Sequence, residues 1–133
     1  MRYMLDTDIC SYVMKRFHPA LLEKLQTVDV SQVCLSVVTK AELLYGVRMS
    51  PDPTRDARAV RGFLAYVEVL ELPGEAAQHY AEIRADLKRG GRLIGANDLF
   101  IAAHARCLDL TLVTHNTGEF SRVEGLSLED WVV

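Results

Sequence analysis

Short apolar runs alternate along this chain with longer segments of helical periodicity, and this alternation constrains the fold more than any other feature of the sequence. Strands separated by helices do not pair as hairpins, and their usual arrangement is a parallel sheet joined by right-handed crossovers. The runs that we predict as strands are Arg2–Leu5, Val33–Ser36, Glu68–Leu72, Thr111–Val113 and Leu126–Leu128. The pattern therefore predicts an α/β fold of three layers, in which a short parallel sheet of about four or five strands is flanked by helices.

The segments between these runs have the periodicity and end signals of helices. The predicted helices cover about 9–16, 19–28, 38–48, 54–67, 76–89 and 98–108. Asp8, Thr54 and Asn97 are the expected N-caps of three of them. The stretch Leu99–Ala103 is apolar all round, so we expect its helix to be buried.

The composition is that of an ordinary globular protein, with 50% hydrophobic and 25% charged residues. A chain of 133 residues is long enough for one domain with a sizeable core and too short for two, so we expect a single domain over 1–133. No apolar run approaches the roughly 20 residues that span a bilayer, and no signal peptide is recognisable, so we expect a cytoplasmic protein without a membrane partner.

Cysteine content and net charge exclude or disfavour some classes of protein. The three cysteines, Cys10, Cys34 and Cys107, have neither the pairing of a disulfide framework nor the spacing of a zinc site, and we expect them to be buried core residues. The formal charge of -3 argues against a duplex-binding protein. A cluster of metal-binding carboxylates would, however, offset a basic face, so the distribution of charge matters more than its sum.

Polar residues lie where the predicted strands reach their carboxyl ends. Asp6 directly follows the first strand, and Asn116 lies just beyond the strand Thr111–Val113. Glu42 lies early in the helix that leaves the second strand, and Asp98 begins a helix that descends before Thr111–Val113. Because the carboxyl ends of parallel strands share one edge, where binding sites of such folds lie, we expect these four side chains to meet there.

Three neighbouring carboxylates, Asp6, Glu42 and Asp98, need a counter-charge to stay ionised. Hard oxygen ligands suit Mg²⁺ or Mn²⁺, and such an ion activates water and stabilises the charge on a phosphodiester. Taken singly, each acid is equally well explained as a helix cap, a first-turn residue or a solvated side chain. Their combination, each beside apolar neighbours, predicts a metal site for phosphodiester cleavage, and for Asp8 we favour the role of a cap.

Four stretches of the sequence resemble the successive motifs of PIN-domain ribonucleases, in the right order. They are Met4–Ile9, Ser36–Leu43, Ile94–Ala105 and Leu112–Phe120. The likeness runs from about Tyr3 to the closing 128–131 and is closest to the VapC toxins of bacterial VapBC type II toxin–antitoxin pairs. Each motif alone is weak, whereas the ordered set is fairly specific.

This resemblance implies a PIN-like fold and an endoribonuclease that uses Mg²⁺ or Mn²⁺ held by Asp6, Glu42 and Asp98. It implies structured RNA as the substrate: several members cut tRNA in the anticodon loop, and members from enteric bacteria act on initiator tRNA, which inhibits translation. It also implies a homodimer and a VapB-type antitoxin, which inserts a C-terminal segment across the site and forms a hetero-oligomer with the toxin. Operator DNA would be contacted only through that antitoxin.

The chain departs from the family pattern at Asn116, where many members carry an aspartate. An asparagine can ligate or hydrogen-bond but brings no charge, so the resemblance does not define a second metal position. Glu119, one helical turn further on, is the candidate replacement. We expect both residues to act on the metal through its other ligands or through water.

Several further polar residues have both a functional and a structural interpretation. Ser36 and Thr39 could bind the carboxylates, although capping of the next helix is the more frequent role of such residues. The basic run 88–92 is the best candidate for contacts with RNA phosphates. His104 is expected to be a core or interface histidine, and His115 is left without a role.

Two rival functions remain open from the sequence. A haloacid-dehalogenase-type phosphatase would use Asp6 as nucleophile and Asp8 as acid/base, but it also needs a mid-chain lysine and a late acidic pair that fit this chain poorly. A catalytically inactive PIN module that only binds is the other rival, and Asn116 keeps it open.

Overall fold

A five-stranded parallel sheet forms the centre of the molecule in a computed structural model that describes residues 1–133. The strands are β1 (Tyr3–Leu5), β2 (Val33–Ser36), β3 (Glu68–Leu70), β4 (Thr111–Val113) and β5 (Leu128–Glu129). Their order is β3-β2-β1-β4-β5, and every neighbouring pair is parallel. The predicted α/β fold is therefore confirmed, although β3 ends before Leu72 and β5 begins after Leu126.

Seven helices surround the sheet. They are α1 (Thr7–Lys15), α2 (Pro19–Thr27), α3 (Val37–Arg48), α4 (Pro53–Tyr66), α5 (Ala76–Arg89), α6 (Ala96–Cys107) and α7 (Thr117–Phe120), with a 3₁₀ turn at Val30–Gln32. The six longer helices were predicted. The turn and α7 were not, because a single helical turn shows too little periodicity to be recognised. None of the helices is both long and apolar enough to cross a membrane.

The sheet separates two apolar cores, as expected for a parallel sheet covered on both faces. Met4 joins the core beneath α5 and α6, whereas the next residue, Leu5, joins the core beneath α1 to α4. The prediction of a buried helix is confirmed for α6. Of the stretch Leu99–Ala103, only Phe100 is partly exposed, and its ring stacks on Tyr80 at 4.3 Å. Of the cysteines, Cys10 and Cys34 are buried, whereas Cys107 is half-buried.

Three predicted helix caps are wrong, because the helices begin earlier than their sequence signals indicated. The observed N-caps are Asp6, Asp52 and Gly95 in place of Asp8, Thr54 and Asn97. The Asp6 amide donates to the Val113 carbonyl at 3.0 Å, so this residue both closes the sheet edge and starts α1. Pro53 occupies the first turn of α4, where its missing N–H has no cost.

Candidate active site

A cleft of about 170 Å³ opens at the carboxyl edge of the sheet. The strand order changes direction at β1, which has β2 on one side and β4 on the other, and such a switch point is where open α/β sheets form binding crevices. The cleft is lined by Asp6, Thr7, Asp8, Glu42, Asp98, Asn116 and Phe120. The structure thus brings Asp6, Glu42, Asp98 and Asn116 to one cleft, whereas Glu119 is not among the lining residues.

Strand register explains why the floor of the cleft is polar. Leu5 pairs with both Leu35 and Val113, so the residues that follow them emerge side by side at the edge. Those residues are Asp6, Ser36 and Thr114, and all three are buried. Thr114 was not predicted as part of the site, because a threonine after a strand carries no distinctive signal.

Asp6 is the most buried acid of the cleft, with 4% of its surface exposed. Burial is the main cause that raises its pKa to about 6, and the charges of Asp8 and Asp98 act in the same direction. Hydrogen bonds from the Thr114 side chain and the Ile9 amide partly oppose this rise. The Ile9 amide donates to Asp6 Oδ1 at 2.9 Å, which makes the carboxylate the N-cap of α1 as well as part of the cleft.

Asp98 lies in the first turn of α6 and is half-buried. Burial is the main cause that raises its pKa to about 6, and the negative charges of Glu42, Glu119 and Asp8 raise it further. Glu119 thus acts on the site through its charge. A Cβ at the N-cap Gly95 would lie 3.4 Å from Asp98 Oδ2, an ordinary van der Waals contact, so a small side chain there would not displace the carboxylate.

Glu42 is held from two sides by side chains that sequence reasoning did not assign to it. The Thr7 hydroxyl donates to Oε1 at 2.5 Å, and the Asn97 amide donates to Oε2 at 3.3 Å. The hydroxyls of Thr7 and Thr39 lie 3.2 Å apart. Asn97, expected to cap α6, instead links that helix to α3, which carries Glu42.

No arginine, lysine or histidine forms an ion pair with Asp6, Glu42 or Asp98. The cleft therefore concentrates negative charge without compensation, and its oxygen-only donor set fits a hard divalent cation such as Mg²⁺ or Mn²⁺. No three acid, histidine or cysteine side chains are close enough to hold one ion as they stand. Both oxygens of Glu42 are engaged instead by the side chains of Thr7 and Asn97.

Asn116 and Thr114 connect β4 to the cleft. The backbone amide of Asn116 donates to Thr114 Oγ1 at 2.9 Å, and the Thr114 side chain in turn helps to lower the pKa of Asp6. Asn116 is the N-cap residue of α7, but its side chain makes no capping bond. Its amide group is therefore available to the cleft.

His104 lies in the core, as predicted, and outside the cleft. Its Nδ1 lies 2.8 Å from the Ser36 hydroxyl, and burial lowers its pKa, with the backbone of Glu71 opposing. Ser36 caps α3 through the Val38 amide, which confirms the capping interpretation. The basic residues 88, 89 and 92 are exposed and also lie outside the cleft lining.

Comparison with known proteins identifies the class to which this fold and cleft belong. Residues 3–126 match the PIN domain family, and the chain belongs to that family. It is 42% identical to the tRNA(fMet)-specific endonuclease VapC of Shigella flexneri, over 98% of both chains. It is 41% identical to ribonuclease VapC2 of Haemophilus influenzae, over 99% of both chains. Within the PIN family the chain therefore belongs with the VapC ribonucleases.

The solved structures agree with this assignment. The crystal structure of DNA-bound VapBC from Salmonella typhimurium matches with a TM-score of 0.92 and 38% identity, over 98% of both chains. The resemblance inferred from the ordered motifs is thus confirmed. Membership of the PIN family also separates the chain from the haloacid-dehalogenase alternative, whose Asp6–Asp8 pair it shares only by sequence pattern.

Proposed function

We propose that this protein is the toxin of a VapBC pair: a Mg²⁺- or Mn²⁺-dependent endoribonuclease, formed by one PIN domain over residues 1–133, that cleaves structured RNA. The observation that carries the proposal is the uncompensated carboxylate cleft at the switch point of the sheet. The burial-raised pKa values of Asp6 and Asp98 support it, because a cation is the partner that offsets the cost of ionising both.

Asp6, Glu42 and Asp98 would hold the cation, which supplies positive charge beside the phosphodiester and favours ionisation of a water. Thr114 orients Asp6 through its hydroxyl, and Thr7 orients Glu42. Such hydroxyls beside ligating carboxylates hold the ligands in place for metal binding.

The substrate proposed is tRNA, and specifically the anticodon loop of initiator tRNA, with inhibition of translation as the result. The name of the Shigella relative, a tRNA(fMet)-specific endonuclease, supports this choice. The VapBC complexes among the structural neighbours support a VapB-type antitoxin as partner, and operator DNA contact through that antitoxin. A homodimer and a cytoplasmic location, where tRNA is found, complete the proposal.

The direct test is cleavage of purified initiator tRNA, with fragments mapped by end labelling. We expect cutting with Mg²⁺ or Mn²⁺ and none in EDTA. Asp6→Asn, Glu42→Gln and Asp98→Asn should each abolish it, because each removes a charge while keeping the shape of the side chain. Glu23→Gln, which changes an exposed acid on α2, is the matched control and should cut normally. Retained cutting by two of the three cleft variants would reject this site.

A second test addresses the toxin role in cells. Expression of the chain alone should arrest growth, and co-expression of the antitoxin encoded beside it should relieve the arrest. Asp98→Asn should be harmless at the same protein level, because arrest then depends on cleavage. If the folded wild-type chain neither cuts RNA nor slows growth while still binding the antitoxin, the inactive binding module is the correct description.

A further inference from the structure

Four aromatic side chains form a row beside the acidic cleft. We call this set the aromatic row. It consists of Tyr12 on α1, Phe17 and His18 in the turn between α1 and α2, and His115 beyond β4. The ring of His18 packs edge-on against Tyr12 at 4.7 Å and lies 6.2 Å from the ring of His115. Phe17 and His18 are 6.4 Å apart. The row thus joins two parts of the chain that are distant in sequence.

The aromatic row begins where the cleft ends. Asp8 lines the cleft, and Tyr12 lies four residues further along α1, on the same side of the helix. His115 is the residue before Asn116, which also lines the cleft. The row is therefore continuous with the cleft on both of the elements that contribute to it.

The row is accessible, and cations lie beside it. Phe17 is 51% exposed, and the His115 side chain is 45% exposed. Lys15 Nζ lies 5.9 Å from the centre of the Phe17 ring, and Arg16 is exposed next to it. By contrast Tyr66, although 69% exposed, has no aromatic neighbour and no cation near its ring. A single exposed ring such as Tyr66 needs no explanation, whereas interleaved rings and cations beside a nuclease cleft do.

The turn that presents Phe17 is held in an unusual backbone conformation. Arg16 and His18 have φ angles of 57° and 61°, in the left-handed region that residues with a side chain rarely adopt. The turn is fixed by the Phe17 amide, which donates to the Tyr12 carbonyl at 2.9 Å. His115 is fixed in a similar way, since Nδ1 lies 2.9 Å from Asp130 Oδ2. The backbone that carries Phe17 and the ring of His115 are thus each held in place by a hydrogen bond within the protein.

We propose that the aromatic row is a base-stacking subsite, on which unpaired nucleobases next to the cleaved phosphodiester stack on Phe17 and His115 while Lys15 and Arg16 contact the adjoining phosphates. This inference rests on the proposed ribonuclease function. Bases in a duplex are stacked on one another and cannot reach these rings, whereas loop bases can. The row would therefore make the enzyme select unpaired loops over continuous helices, with little preference for base identity.

The test compares the binding of two fluorescent RNAs, a hairpin with an unpaired loop and a continuous duplex of the same stem sequence. Binding is measured by anisotropy in the Asp98→Asn background, so that the RNA stays intact. Phe17→Ala and His115→Ala should each weaken hairpin binding about tenfold and leave duplex binding unchanged. Phe17→Trp and His115→Phe, which keep an aromatic face, should restore it. Tyr66→Ala is the matched control and should change neither affinity.

Three different results would contradict the stacking subsite. Unchanged hairpin affinity in both alanine variants, with normal circular dichroism, would overturn the subsite. An equal loss for hairpin and duplex would also overturn it, because stacking on loop bases would not explain that loss. Unchanged RNA binding with weakened antitoxin binding would assign the row to a protein partner instead.

The inference and the function on which it rests fail separately. If the wild-type chain binds the hairpin through the row but does not cut it with Mg²⁺ or Mn²⁺, the ribonuclease proposal fails and the subsite stands. If Phe17→Ala cuts hairpin RNA with an unchanged KM, the ribonuclease stands and the subsite fails.

Discussion

At the scale of single residues, the cleft carboxylates lower the stability of the fold that carries them. Burial raises the pKa of Asp6 from 3.8 to about 6, so the folded protein binds this proton more tightly than the unfolded chain does. The free energy of unfolding therefore falls as the pH rises from about 4 through about 6. Above that range the destabilisation by the ionised Asp6 is complete. Asp98 acts in the same direction and is more exposed.

Asp6→Asn should consequently stabilise the protein in the absence of divalent cations. Asparagine keeps an oxygen for the Ile9 amide and removes the buried charge. At pH 8 we expect the free energy of unfolding to increase by up to about 3 kcal/mol, since one pKa unit corresponds to about 1.4 kcal/mol. At pH 4, where folded Asp6 is protonated, the difference should fall below about 1 kcal/mol. Urea unfolding at both pH values measures the difference, and a variant that is less stable at pH 8 would contradict the assignment of this cost.

The effect of divalent cations on thermal stability tests the role of Asp6 a second time. Mg²⁺ or Mn²⁺ should raise the Tm of the wild type at pH 8, because a ligand that binds only the folded state stabilises it by mass action. The increase should be lost in Asp6→Asn and should shrink in the wild type below pH 6, where Asp6 and Asp98 take up protons. An equal Tm increase in both proteins would place the ion elsewhere.

At the scale of elements, the spacing of α3 and α6 decides the geometry of the cleft, because Glu42 and Asp98 lie on these two helices. A buried polar contact joins them, since His104 on α6 reaches the Ser36 hydroxyl at the start of α3. A second contact joins Asn97 to Glu42 directly. Two side-chain contacts therefore join α6, which carries Asp98, to α3, which carries Glu42.

A double-mutant cycle on Ser36 and His104 should show this coupling. Ser36→Ala removes a helix cap and should cost about 1 kcal/mol, and His104→Ala leaves a cavity and should cost about 2–4 kcal/mol. The double variant should lose about 1 kcal/mol less than the sum of the single losses, because their shared hydrogen bond is then counted once. Urea unfolding measures all three, and strictly additive losses would show that the contact contributes nothing.

At the scale of the whole molecule, the C-terminal segment packs against β1 and completes the core beneath α1 to α4. Trp131 is 4% exposed, packs edge-on against Tyr3 at 5.0 Å and donates its indole N–H to Glu129 Oε1 at 2.9 Å. Tyr3 lies in the central strand and Glu129 in the edge strand β5. One side chain therefore connects the middle of the sheet to its edge.

Trp131 is the single tryptophan of the chain, so its fluorescence reports on this closure. In urea the red shift of its emission should coincide with the loss of helical circular dichroism, as for a two-state domain. Trp131→Phe should lower the free energy of unfolding by about 1–2 kcal/mol, since it keeps the packing with Tyr3 but loses the hydrogen bond to Glu129. An emission shift at clearly lower urea would mean that the C-terminal segment detaches before the sheet unfolds.

Local pattern was sufficient to predict the type and order of the main elements. Strand runs such as Val33–Ser36 and the apolar helix around Ile101 have signals that depend on neighbouring residues only. The likeness of Met4–Ile9 to a PIN motif, and the place of Asp6 at the end of a strand, depend on sequence order alone. The acids of the cleft could therefore be selected from their positions along the chain, because crossover rules place strand ends at one edge.

The sequence by itself determined the α/β fold, the acids and their common edge, since these follow from periodicity and chain order. Only the tertiary structure decided which partner each polar side chain takes. Asn97 binds Glu42 instead of capping α6, Thr7 donates to the same carboxylate, and His18 meets His115 across a long stretch of chain. Such contacts depend on distances between separate elements, and these distances are set by packing of the two cores, which no local pattern encodes.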